Sequence, residues 1–171
     1  MNQVSSSLYN DLFDNLENLV KVYRSLLDTV RREKEILIAS KLEELNDNNK
    51  SKDATLIRIR SLENSRMKCA RDLAAAVGGD VDQPRLLDIA NKSDSQWQDR
   101  LRNLHSVLEL LIRRVSEVNK QNEELVQAAL SHINGAMDEI RDGLKPKSTY
   151  ARQGALAEGK ATGGNLVRKE A

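Results

Sequence analysis

The chain has 171 residues, of which 39% are hydrophobic, 31% charged and 3% aromatic, enough for one domain but not for two full ones. Lys and Arg number 27 against 26 Asp and Glu, a formal charge of +1, so no global field steers a polyanion and nucleic acid is not an expected partner. A single cysteine, Cys69, excludes an internal disulfide, and no apolar run reaches the ~18 residues a membrane span requires, so membrane insertion is not expected.

With only 8 Gly and 2 Pro, turns are scarce and long helices follow. From Leu8, apolar residues recur at Leu12, Leu16, Leu19, Tyr23, Leu26, Val30 and Leu37, in steps of three and four apart from a charged gap at Glu33. That spacing predicts a helix over about 6–40, started by Ser5, Ser6 and Ser7 as capping hydroxyls. Phe13, Val20 and Leu27 form a second apolar line and imply more than one neighbouring helix. Residues 39–55 are polar and asparagine-rich and read as a bend or weak helix. A second helix over about 41–77 regains its periodicity at Leu56, and Gly78-Gly79 ends it. Pro84 opens a short helix over about 84–91, and Ser93-Asp94-Ser95 offers a cap for the next.

The last helix, about 95–141, carries the strongest pattern: Trp97, Leu101, Leu104, Leu108, Leu111, Val115, Val118, Asn122, Leu125, Ala129, His132 and Ala136 alternate in steps of four and three. The expected fold is all-α, an elongated antiparallel bundle of three long helices plus one short connecting helix over residues 1–142. Residues 143–171 hold five of the eight glycines and six basic against two acidic residues, which predicts a flexible basic tail. The seam contains two polar members, Asn122 and His132. They read either as a satisfied core pair or as the mark of a distal helix end, Val118 to Ile140, that keeps an open groove for a partner helix.

Catalytic and metal chemistry find no support. One cysteine and two isolated histidines, His105 and His132, do not make a metal-ligand set. No phosphate loop, dinucleotide-binding turn or nucleophile elbow is present, and no cofactor is expected. Cys69 lies mid-helix beside Lys68, Ala70 and Arg71, where a thiol packs as a small apolar group. The N-terminus lacks a basic region followed by an apolar one, which points to a cytoplasmic protein.

Several stretches resemble the FlgN-like flagellar export chaperones. They are Glu33-Lys34, Leu42-Glu43-Glu44-Leu45, Lys52 and Leu62-Glu63-Asn64-Ser65-Arg66 before a glycine-ended helix, then Asn119-Lys120-Gln121-Asn122-Glu123-Glu124-Leu125, and Thr149-Tyr150 with Gly154. The resemblance covers roughly residues 8–154. It implies a non-enzymatic cytosolic chaperone for hook-associated, or hook-filament junction, proteins that delivers them to the type III export gate. A client helix would then lie along the last helix at Val115, Val118, Leu125, Ala129, Ile133 and Ile140, with Asn122 setting register. Tyr150, a lone aromatic in the tail, would dock on the export-gate protein. A self-associating coiled coil, that is a homodimer, is the competing expectation, because a long apolar seam serves that equally well.

Overall fold

A computed structural model describes residues 2–144. Its helices are α1 (Asn2–Ile38), α2 (Leu42–Val77), α3 (Leu86–Asn91) and α4 (Ser95–Gly143), with no strand among the described residues. The architecture is therefore an all-α helical bundle. No helix among the described residues is long and apolar enough to cross a membrane. Two compact units divide the chain, the first ending at Val126 and the second beginning at Gln127.

The largest departure from the sequence pattern is at residues 42–55, which are helical throughout. Polar contacts across to α1 hold this stretch where apolar ones are missing. Asn48 Nδ2 donates to the Thr29 carbonyl at 3.3 Å, Arg32 pairs with Glu44 at 2.5 Å and Lys52 pairs with Glu33 at 2.7 Å. The weak helix propensity of asparagine, a few tenths of a kcal/mol per residue, is overridden by tertiary contact. The other departure is at the start of α1. It begins at Asn2, so positions 5–7 lie within its first turns and not at the residue before it.

Both ends of the α1–α2 hairpin close with left-handed residues. After α1, Ser40 adopts φ 54, while Ser40 N donates to the Leu37 carbonyl and Lys41 N to that of Ile36. After α2, Gly78 takes φ 72 and Gly79 N donates to the Ala74 carbonyl at 2.7 Å. These are Schellman closures, which satisfy the last carbonyls of a helix while turning the chain away from its axis. Glycine accepts this backbone freely; at Ser40 the side chain costs about 1 kcal/mol.

The contacts fix helix direction within the first unit. Pairs between α1 and α2 run from Arg32–Glu44 to Thr29–Asn48, falling along α1 as they rise along α2, an antiparallel hairpin. Pairs between α1 and α4 rise together, from Tyr9–Trp97 through Glu17–Arg100 to Lys34–Gln121. Helices α1 and α4 are thus parallel, as the first and third members of an up-down-up bundle must be. The core is built chiefly on α1, whose Leu12, Phe13, Leu16, Leu19 and Val30 are essentially fully buried. Against them pack Ala70, Leu73 and Ala74 of α2, Ile89 and Ala90 of α3, and Leu101, Leu108 and Leu111 of α4.

An aromatic corner pins the start of α4. Tyr9 stacks on Trp97 at 4.8 Å between ring centroids, and Phe13 lies 5.6 Å from the same ring. The Arg100 guanidinium sits 4.2 Å over the Phe13 ring while pairing with Glu17 at 2.6 Å. The Tyr9 hydroxyl donates to Ser93 Oγ at 2.7 Å, and Ser93 in turn donates to the Ile89 carbonyl at 2.7 Å. Four of the five aromatic residues, Tyr9, Phe13, Tyr23 and Trp97, are therefore core or core-facing.

Candidate functional site

The polar interruptions of the two apolar seams meet each other. Glu33, the charged gap in α1, accepts from Lys52 Nζ of α2 at 2.7 Å and from Asn122 Nδ2 of α4 at 3.2 Å. The same Asn122 nitrogen donates to the Val30 carbonyl at 2.9 Å. Asn122 is 4% exposed, and a buried amide in such a seam favours the one register in which it finds partners. One carboxylate thus joins three helices. Glu33→Ala strips Lys52 and Asn122 of their shared acceptor and is expected to lower stability by about 2 kcal/mol. Chemical denaturation checks this, and an unchanged midpoint would show the node to be idle.

The residues proposed from sequence for partner binding fall into two groups. Val115 is buried in the core, Val118 packs half-buried against it, Asn122 is occupied in the polar node, and Leu125 is half-buried. These four lie in the first unit. Val115 and Asn122 are closed to a partner in this arrangement, because α1 already covers them. Ala129, Ile133 and Ile140 lie in the second unit and are exposed. Tyr150 and the tail from residue 145 lie outside the described residues.

His132 is also exposed, so it forms no core pair with Asn122. The seam expected to run on through Ala129, His132 and Ala136 has no cover in the second unit. A different line carries the large apolar groups there. Leu130, Ile133, Met137, Ile140 and Leu144 are spaced three, four, three and four apart, and each is at least 48% exposed. This line is shifted by one residue from the buried one, a rotation of about 100° around the helix. The signal for Leu130, Met137 and Leu144 was present in the sequence, masked by the longer alternation one step away. Single exposed leucines are ordinary; five large apolar groups in one row make a candidate interaction face.

A second feature belongs to the first unit. A cleft of about 1230 Å³ opens between α2, residues 82–88 and α4. Met67, Leu86, Leu108 and Ile112 give it an apolar lining, and its rim carries both signs of charge, including Glu109 and Arg113. Cys69 is half-buried against the core. Burial first, then Asp11 and Asp72, pushes its thiol up from the ordinary value, which keeps it protonated and disfavours nucleophilic use. Among the described residues no group of three His, Cys, Asp or Glu side chains could hold a metal ion.

The described residues form an all-α helical bundle whose last helix carries an exposed apolar row. The chain belongs to the FlgN family, whose model, described as FlgN protein, matches residues 1–158. Members of this family are flagellar export chaperones, and the match suggests that role for this chain. No curated protein and no solved structure matches the chain.

Proposed function

We propose that the protein holds hook-associated, or hook-filament junction, proteins unassembled in the cytoplasm and delivers them to the type III export gate. The observation that carries the binding step is the exposed row Leu130, Ile133, Met137 and Ile140 on α4. Such a row takes the apolar face of an amphipathic client helix, substituting for the neighbour that the client acquires only on assembly. Ala129, on the edge of the row, lets a client backbone approach closely. Val115, Val118, Asn122 and Leu125 support this face indirectly, by fixing the earlier part of α4 in the bundle.

Calorimetric titration of the full chain with the C-terminal helical segment of a hook-associated protein tests this. Binding at micromolar Kd or tighter, with a negative heat-capacity change from apolar burial, is the expected result. No heat, together with a stable homodimer by light scattering, would favour the self-associating coiled coil instead.

Release to the gate is assigned to Tyr150. A tyrosine side chain buries a large area at low entropic cost, which suits an interface anchor. Tyr150→Ala is expected to leave client affinity unchanged and to weaken binding to the export-gate protein about tenfold or more, a loss of 1.4 kcal/mol or above. Loss of both activities would contradict separate roles for helix and tail.

A further inference from the structure

The chemistry of the exposed face specifies how many helices it accepts, given the client-holding reading on which this point rests. In heptad terms Leu130, Met137 and Leu144 occupy the a positions and Ile133 and Ile140 the d positions. Leu at a with Ile at d is the arrangement that disfavours two-stranded packing and favours three or four helices. A third row lies beside them: Ala129, Ala136 and Gly143 occupy all three g positions. An apolar face of three positions in seven belongs to a helix inside a bundle, whereas a two-stranded seam uses two. The row of small residues alone would say little, but it widens a face whose large residues already call for more than one neighbour.

The area agrees. From Leu130 to Leu144 the face is about 21 Å long at ~1.5 Å per residue, so one helix ~10 Å wide lying on it covers a footprint of roughly 210 Å². A stable interface buries about 800 Å² per partner. Covering both the a/d and the d/g sides brings the contact nearer to that figure and leaves no apolar row in water. Arg141, at an e position beside the a row, is already paired with Asp138 at 2.8 Å, and Glu139 lies at a c position beside the g row. A second copy of the chain paired two-stranded through this face would leave Ala129 and Ala136 uncovered.

We infer that the α4 face binds its client as a pair of amphipathic helices, forming with them a small mixed bundle that is tighter than its complex with either helix alone. The test uses the full chain with two synthetic peptides, the N-terminal and the C-terminal helical segments of one hook-associated protein, followed by native mass spectrometry and calorimetry. The expected result is a complex holding two helices per chain, with the pair bound at least tenfold more tightly than either peptide alone. Ala136→Gln, at an exposed position, is expected to remove that tenfold gain while one peptide still binds. One helix per chain, with no gain from the second peptide, would overturn the two-helix proposal and leave the chaperone reading intact. No binding of either peptide, or a mass of two chains joined without peptide, would overturn both.

Discussion

Replacing Leu130 and Ile133 with Ser is expected to abolish client binding without unfolding the bundle. The two side chains are 48% and 60% exposed, so the free protein loses little packing, and surface substitutions of this kind change stability by about 0.5 kcal/mol. In the complex each side chain becomes buried, and burying a Leu or Ile contributes about 1.5–3 kcal/mol. Losing both weakens the complex by about 3–5 kcal/mol, a factor of 10² to 10³ or more in Kd. Titration of the double variant, with its melting temperature measured alongside, checks the prediction. Unchanged affinity would move the site to another face, the first alternative being the cleft between α2 and α4.

The largest effect on stability is expected from Phe13→Ala. Phe13 is 1% exposed and touches three kinds of partner: the Leu core, the Trp97 ring at 5.6 Å and the Arg100 guanidinium at 4.2 Å. Truncating a buried Phe costs about 3–5 kcal/mol, through lost transfer energy and the cavity that remains. A domain of this size is held by roughly 5–15 kcal/mol in total, so about a fifth or more of its stability depends on this ring. A fall in melting temperature of about 10 °C or more is expected, and a fall of only 1–2 °C would show that the corner repacks. The Arg100–Glu17 pair is half-exposed, and its share of this effect is small.

Much of the fold was legible because one pattern, apolar residues three and four apart, is enforced by packing along α1 and α4. Core positions such as Leu12, Leu16, Leu101 and Leu108 could be read directly from that spacing. Residues 42–55 could not, because their helix is held by Glu33, Thr29 and Arg32 on a different element, and no local pattern encodes such contacts. The same reason hid the pairing of Glu33 with Asn122. Each stood out as a polar break in an apolar seam, but 89 residues separate them, and one sequence does not say that two breaks share a partner.

The candidate site shows the converse difficulty. Ile133 and Ile140 were identified from sequence, whereas Leu130 and Met137 were passed over. Ala129, His132 and Ala136 continue the arithmetic of the buried seam so well that a one-residue shift of the apolar stripe was hard to notice. What separates the two lines is side-chain size. The buried seam continues past Leu125 only in Ala and His, while the shifted line carries Leu, Ile and Met.

Amide hydrogen exchange of the full chain, with and without the client's terminal helices, tests the central claim most directly. The account predicts that protection rises over residues 127–143 on client binding, because a solvated helix end becomes part of a packed bundle. Amides around Leu12, Leu73 and Leu101 in the buried core are predicted to change little. Protection gained instead around Met67, Leu108 and Ile112, with residues 127–143 still exchanging as in the free protein, would contradict it and place the client in the cleft of the first unit.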